Sequence, residues 1–497
     1  MHCFPSDDAL PEFYITTPIF YVNDKPHIGH AYTMVMSDII ARWHALNGEK
    51  VFFLTGTDEH GEKIAKAASG AGKSPKEFVD GIVSQFEEMW KILEISNDDF
   101  IRTTEKRHEN TVAEFIKRLK ESGDIYKGAY EGWYCTPDET FFTALQLKEG
   151  KCPQCGREVK LVNEESYFFK LSKYREKLLN HYKENPEFLS PQFRSQEIIN
   201  RVEAGLNDIS ITRTTVEWAL PFPGDEKHTV YVWVDALINY LSAIGWPKGR
   251  FEELWPADVH VVGKEINWFH SVIWPAMLLS AGIAVPRRVF AHGWWTIEGR
   301  KMSKSFGNAI NPKDITSKYG TDALRYFLAR EIPFGEDGDF SEKALVARIN
   351  GELVDDLGNL ANRVLTLAEK SGVKIKGKPE LEEQLHLPSI EKYMEKLDTF
   401  KALGEIWSFI RAANKYVNDK EAWKKKGDEL SGILYNLLES LRIISILIYP
   451  FMPETSERLR RQLGVDREGI EYCKFGEFRG RPRKGEYLFK KVMPEKA

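Results

Sequence analysis

Two short words hold the residues best suited to chemistry. The first is His27-Ile28-Gly29-His30, which follows a strand-like run and opens a helical pattern. At a helix start the backbone N–H groups lack intrahelical partners and the dipole favours anions. Gly29 lets a ligand approach the backbone closely. His27 and His30 can donate to triphosphate oxygens and to charge that develops during transfer. The second word, Lys301-Met302-Ser303-Lys304-Ser305, follows a predicted hairpin over 294–301, turned at Glu298-Gly299, with Gly307 just beyond. A Ser/Lys loop beside glycine suits a flap that closes over a polyphosphate, with Lys304 as a point charge on a departing pyrophosphate. Read singly, one word is a helix start with two incidental histidines and the other a solvated basic loop. Their joint presence favours phosphate chemistry.

Four further groups carry weaker signals. Cys152-Pro153-Gln154-Cys155 is a knuckle-type metal half-site, and Cys135 lies upstream with Asp138 in the spacing of a fourth ligand. Glu139 is a substitute for Asp138, and a degenerate site without metal is the alternative. Asp58, in Asp58-Glu59-His60-Gly61, sits where a parallel strand should end and can meet an ammonium group. It can equally be a helix N-cap. Trp233, Ala236, Leu237 and Tyr240 share one helical face, as a pocket wall or a core stripe. Asn359 and Arg363 lie at i and i+4 on a predicted helix, and Trp423 stands among lysines. Such groups read base edges and stack unpaired bases, or merely face solvent.

The elements that must position these residues follow from periodicity. A strand over 14–22, which ends or bends at Pro18, a helix over 30–46 and a strand over 50–54 begin a doubly wound sheet. Helical periodicity then runs to about residue 120. Residues 121–228, rich in aromatics, cysteines and short polar runs, read as an insertion. The strand-turn-helix pattern returns over 230–240, 259–263 and 289–293. Beyond 345, Leu345, Ile349, Leu353, Leu357, Leu360 and Val364 give one apolar stripe, repeated in kind over 388–417 and 429–463. The predicted class is α/β: a Rossmann-like doubly wound parallel sheet split by an inserted domain, followed by an α-helical bundle. The predicted domains are 1–120 and 229–293 for the two catalytic halves, 121–228 for the connective insertion with its zinc knuckle, 294–345 for the flap and stem-contact region, and 346–497 for the bundle and tail.

Composition bounds the rest. A chain of 497 residues with net charge −5 is not globally basic, so any nucleic-acid contact must come from local patches. The most apolar stretch, 433–450, contains Glu439 and Arg442, and a buried helix is expected there, not a membrane span. Five cysteines in so long a chain argue against a disulfide framework and for a reducing cytoplasm.

With these residues in place, the chain resembles the bacterial-type methionyl-tRNA synthetases, a family of class I aminoacyl-tRNA synthetases. The supporting words are Phe20-Tyr21-Val22-Asn23, Gly56-Thr57-Asp58-Glu59-His60-Gly61, Tyr231-Val232-Trp233-Val234-Asp235-Ala236, Gly263-Lys264-Glu265-Ile266-Asn267-Trp268-Phe269-His270, His292-Gly293-Trp294 and Gly358-Asn359-Leu360-Ala361-Asn362-Arg363. The isoleucyl, leucyl, valyl and cysteinyl enzymes share the two signature words but not this set. The likeness runs from about Tyr14 through the helical region.

The resemblance implies adenylation of L-methionine by ATP with Mg²⁺ and transfer to tRNA(Met), including the initiator tRNA. It implies a methionine pocket of Ile19, Tyr21, Trp233, Ala236, Leu237, Tyr240 and His270, with Asp58 on the ammonium. His27, Gly29, His30, Gly263, Glu265 and Lys304 would bind ATP, and His27, His30, Lys301 and Lys304 would be catalytic. Asn359, Arg363 and Trp423 would read the anticodon. The family's insertion carries one or two zinc knuckles. Here the cysteines suffice for one structural Zn²⁺, held by Cys135, Cys152 and Cys155 with Asp138 as the open fourth position. Many members carry a C-terminal tRNA-binding dimerisation domain. None is visible here, so the expectation is a short form or a truncated chain, acting as a monomer, without a membrane. Two rival readings are another class I synthetase or nucleotidyltransferase with an altered pocket, and an RNA-binding protein that reuses the scaffold.

Overall fold

The computed structural model describes residues 12–136, 140–142, 144–153, 155–297, 300–301, 310–466 and 469–493. Lys304 and Asp138 lie outside the described residues, as do Met302, Ser303, Ser305, Gly307, Glu139 and the expected turn at Glu298-Gly299.

The apolar runs Glu12–Thr16, Lys50–Asp58, Val259–Gly263 and Val289–His292 are buried almost throughout, as parallel strands covered on both faces must be. They form the centre of a seven-stranded parallel sheet. Its order is Phe20–Tyr21, Lys50–Asp58, Glu12–Thr16, Val259–Gly263, Val289–His292, Leu189–Ser190, with Asp99–Arg102 also on Lys50–Asp58. Ile15 lies between Phe53 and Val259 in register. The chain leaves Glu12–Thr16 towards one side and returns on the other after the insertion. This reversal opens a crevice beyond the carboxyl ends of Glu12–Thr16 and Val259–Gly263, where ligands bind in such sheets.

The stretch expected as a strand over 14–22, ending or bending at Pro18, forms two short strands on either side of that residue. Pairing stops after Thr16, passes Pro18, which has no N–H to donate, and resumes where Phe20 and Tyr21 meet Thr57 and Asp58. The strand Asp99–Arg102 sits inside a stretch that reads as helical. At four residues it is too short to break the pattern of the flanking helices Pro75–Ile92 and Lys106–Glu121.

The insertion holds an antiparallel sheet in the order Thr140–Phe142, Ile125–Cys135, Lys160–Phe169, Ile209–Ser210. After the parallel sheet, Trp295–Ile297 pairs antiparallel with Arg300–Lys301 and parallel with Gly338–Asp339.

In the bundle, Leu345, Ile349, Leu353, Leu357, Leu360 and Val364 are all buried. The α-helix Glu342–Arg348 passes through a π-helical stretch, Ile349–Gly358, into the α-helix Asn359–Ser371. Three successive steps of four residues would drift around an α-helix. The wider π turns hold them on one side. The helix Gly427–Leu447 is long and apolar enough to cross a membrane, but 89% of its apolar window is buried inside the fold. Glu439 and Arg442 form a buried pair at 2.9 Å within it.

One apolar cluster joins sheet and bundle, running from Phe13, Ile15 and Phe53 through Leu324 and Phe327 to Leu441 and Leu459. A charged node lies at the same junction. Asp38, on the helix Ile28–Leu46, accepts from Arg325 at 2.6 Å and Arg42 at 2.7 Å. Its other oxygen accepts from the Ser96 N–H and hydroxyl. The Arg325 guanidinium also donates to the carbonyls of Leu93, Pro450 and Phe451. Both members of the Asp38–Arg325 pair have fully buried side chains.

Candidate active site

A cavity of about 400 Å³ occupies the crevice. Its walls include Ile19, Tyr21, Asp58, Trp233, Ala236, Leu237, Tyr240 and His270, the whole expected methionine set. They also include His27, Gly29, His30, Gly263 and Glu265, the described part of the expected ATP set. Lys301 lies in the short strand after the cavity wall, and its side chain lies outside the description.

The helix Ile28–Leu46 begins at the cavity with His27 as N-cap. The Gly29 N–H donates to His27 Nδ1 at 3.1 Å, and the His27 N–H donates to His30 Nδ1 at 3.1 Å. The two imidazoles thus form a reciprocal capping box, usually built from Ser/Thr and Glu/Gln. Their rings stack with centroids 3.9 Å apart. Each Nδ1 serves as an acceptor, so each neutral ring carries its proton on Nε2. In that tautomer each Nε2–H is a donor of the kind that suits anionic oxygen. The Ile28 N–H donates to Ile310 O at 3.1 Å, which ties the chain returning from the Lys/Ser word to this helix start.

The opposite end of the cavity is apolar and aromatic. Trp233 stacks on Phe269 at 4.0 Å, and Tyr240 stacks on His260 at 4.2 Å. The helical face expected from Trp233 to Tyr240 is broken at Ile238 into Val232–Leu237 and Asn239–Ser242, yet all four expected residues still reach the cavity. His270 Nδ1 donates to Ile266 O at 3.0 Å, so its neutral Nε2 accepts from the Tyr240 hydroxyl at 2.7 Å. Burial pulls the His270 imidazole down to about 4. Burial likewise holds His260 well below its ordinary range, and Trp274 Nε1 donates to it at 3.3 Å. This end therefore stays uncharged at neutral pH while still offering polar atoms, a fit to a soft, apolar thioether.

Asp58 ends the strand Lys50–Asp58 beside these walls. The residues after it are tied to several elements. Glu59 receives Arg102 at 2.6 and 2.9 Å, Thr57 at 2.7 Å and Thr104 at 2.6 Å. The Gly61 N–H donates to Trp218 O at 2.8 Å, and Trp218 Nε1 donates back to Glu59 O. Across the cavity, a Cβ on Gly263 would stand 2.5 Å from Glu265 Oε2, and one on Gly293 would stand 2.2 Å from Glu336 O. The Gly293 contact is with backbone, so a side chain there would force the chain apart, whereas the Glu265 side chain could move aside at Gly263. Glu265 accepts from Trp294 Nε1 at 2.5 Å.

Sequence reasoning assigned no role to several residues that the fold brings here. Lys63 lines the cavity with its ammonium 5.1 Å from the Tyr21 ring centre. Thr33 donates to His292 Nε2 at 2.8 Å, while His292 Nδ1 donates to Gly293 O. Burial lowers the His292 pKa. Thr33 is readable as one turn beyond His30, but nothing local marks Lys63.

In the insertion, Cys135, Cys152 and Cys155 place their Sγ atoms within 4.8 Å of one another, with Cys135 and Cys155 3.5 Å apart. Tetrahedral thiolates on zinc, at about 2.3 Å from the ion, stand about 3.8 Å from each other. The Gly156 N–H donates to Cys152 O at 2.9 Å and closes the knuckle turn. Three such thiols fit a metal.

On the bundle, the Arg363 guanidinium lies 5.7 Å from the Trp423 ring centre and donates to Asn418 at 2.6 Å. Trp423 is 52% exposed, and Asn359 is exposed one turn from Arg363. The fold thus gathers the three expected anticodon residues' elements on one face.

Comparison with known proteins agrees with this geometry. The family model described as "tRNA synthetases class I (M)" matches residues 13–161 and 147–365, and the "Anticodon-binding domain of tRNA ligase" model matches 386–479. The methionine–tRNA ligase of Caldanaerobacter subterraneus subsp. tengcongensis is 50% identical over 97% of this chain and 79% of the relative. That of Thermotoga maritima is 48% identical over 97% and 80%. The structure of Mycobacterium tuberculosis methionyl-tRNA synthetase in complex with methionyl-adenylate superposes with a TM-score of 0.93 at 38% identity, covering 97% of this chain and all of that one. A parallel sheet whose crevice joins a histidine-capped helix to an aromatic wall, matched at this identity over nearly its whole length, places the chain in the methionyl family of class I tRNA synthetases.

Proposed function

We propose that this chain activates L-methionine with MgATP to methionyl-adenylate and pyrophosphate, then transfers methionine to the 3′-terminal adenosine of tRNA(Met). The observation that carries this reading is one cavity with two unlike ends, an uncharged aromatic wall and a pair of Nε2–H donors at a helix start.

The side chain of methionine lies against Trp233, Ala236, Leu237 and Tyr240, with the Tyr240–His270 pair near sulfur. Asp58 meets the ammonium. ATP lies with its adenosine along Gly263 and Glu265 and its phosphates on Gly29, His27 and His30. A methionine carboxylate oxygen attacks the α-phosphorus, the bond to the bridging oxygen breaks, and pyrophosphate leaves. His27 and His30 stabilise charge on the phosphoryl oxygens, and Lys301 and Lys304 offset charge on the departing pyrophosphate. Catalysis is positioning and electrostatics, with no side-chain nucleophile. A ribose hydroxyl then attacks the adenylate carbonyl, and AMP leaves. Asn359, Arg363 and Trp423 meet the anticodon, with Trp423 as a stacking platform.

ATP–pyrophosphate exchange without tRNA tests the reading against all twenty amino acids. Methionine alone should support exchange. Exchange driven by another amino acid would overturn the pocket, and none from a folded chain would favour RNA binding without catalysis.

Cys135, Cys152 and Cys155 hold one structural zinc, which ties the hairpin of the insertion to its knuckle. Metal analysis should find one zinc per chain and none in Cys152→Ser. Full zinc in that variant would remove Cys152 from the ligand set.

A further inference from the structure

Beneath the cavity lies a buried carboxylate between two histidines that none of the steps above uses. Asp235 Oδ2 meets His60 Nδ1 at 2.7 Å, and Asp235 Oδ1 meets His108 Nε2 at 2.7 Å. Asp235 is 1% exposed, His60 4% and His108 fully buried. The three come from separate parts of the chain. His60 stands two residues after Asp58, Asp235 stands two residues after Trp233, and His108 lies on the helix Lys106–Glu121.

The position of Asp235 gives the cluster its meaning. Its helix, Val232–Leu237, has six residues and no side-chain N-cap. A helix so short does not hold its own geometry and depends on outside contacts. Asp235 shares this helix with Trp233, Ala236 and Leu237, which face the cavity, and it reaches away to His60. His60 belongs to the loop that begins at Asp58, and its carbonyl accepts from the Tyr21 hydroxyl at 3.0 Å. The His60–Asp235 contact therefore runs as a strut from the wall meant for the thioether to the carboxylate meant for the ammonium. His108 backs it from behind, its Nδ1 3.0 Å from the Ser242 hydroxyl.

We infer that His60 is a positioning residue for the amino acid, fixing through Asp235 the distance between Asp58 and the aromatic wall. This rests on the methionine reading of the cavity. Burial works against charge at both groups, but their mutual attraction overcomes it. The Asp235 carboxyl, also bonded to His108, is held at about 2, and the His60 imidazole is raised above its usual range. A charge-assisted hydrogen bond of this kind is stiffer and stronger than a neutral one.

The strut touches the amino-acid end, while His27 and His30 stand on another element with their own capping bonds. Its loss should therefore weaken methionine binding in ground and transition states alike. In the full-length chain, His60→Ala should raise KM for methionine about tenfold in ATP–pyrophosphate exchange, the scale of one lost buried charged hydrogen bond. KM for ATP and kcat should stay within about twofold, inside the ordinary scatter of remote substitutions. His60→Asn places an amide N–H near the site of Nδ1 and should recover most of the methionine affinity. Asp235→Asn keeps the volume and should raise KM for methionine as His60→Ala does. Equal increases in both KM values, or an asparagine variant no better than alanine, would reduce the cluster to general packing. Unchanged kinetics in both variants would remove the strut. Native exchange that is not specific for methionine would instead overturn the reading of the cavity and leave the strut geometry standing.

Discussion

His27→Asn should leave the protein folded and lower methionine-dependent ATP–pyrophosphate exchange about 10²- to 10³-fold, the usual effect of removing one preorganised donor from a developing oxyanion. The substitution is chosen because His27 does two things. Its Nδ1 caps the helix Ile28–Leu46 through the Gly29 N–H, and in the proposed mechanism its Nε2–H donates to the phosphoryl oxygens. Asparagine is among the best N-cap residues and keeps the first role while losing the second. His30→Gln is its counterpart, because glutamine is a natural third-position partner in a capping box. Exchange rates and urea midpoints measured on both variants separate the two roles. Near-native exchange with a shifted midpoint would reduce the histidines to structural caps.

Asp38→Ala should cost about 3–5 kcal/mol of stability, read from urea unfolding, because it strands a fully buried arginine. Arg325 has an unexposed side chain, and among the described residues Asp38 is the carboxylate that it pairs with. The double variant Asp38→Ala/Arg325→Met should recover much of that loss, since replacing both partners by apolar groups avoids the stranded charge. A double variant as unstable as the single would point to the lost volume instead. The pH dependence follows with its sign. Burial pushes the Asp38 carboxyl up, but Arg325, Arg42 and Ser96 overcome it, so its folded pKa lies below the ordinary 3.8. A depressed carboxylate contributes stability above its unfolded pKa and loses it as pH falls through the folded value. The node's contribution is therefore intact at neutral pH and fades only in strong acid.

What the chain discloses about itself depends on how local the physics is. The histidine word, the cysteine pair and the apolar stripe from Leu345 to Val364 are readable because each is settled within a few turns of chain. The parallel sheet is readable because its strands are buried on both faces. The pocket residues beyond Trp233, Ala236, Leu237 and Tyr240, such as Ile19 and His270, came only through family likeness, since no local pattern marks them. The strut escapes altogether, because residues 60, 108 and 235 acquire a joint meaning only after folding. Asp38 and Arg42 read as an ordinary i, i+4 surface pair, and only the burial of Arg325 against them shows otherwise. The π-helical stretch Ile349–Gly358 has a trace in sequence, the repeated step of four, which resembles a slightly irregular α-helix.

The continuous apolar cluster has a mechanical corollary. The helix Ile28–Leu46 has its first turn at the cavity and its middle turns in the same packed medium as Leu324, Leu441 and Leu459. Such interiors are dense and barely compressible. Among the described residues, one packed medium runs from the bundle to the helix that His27 caps, and the buried Asp38–Arg325 pair lies at that junction.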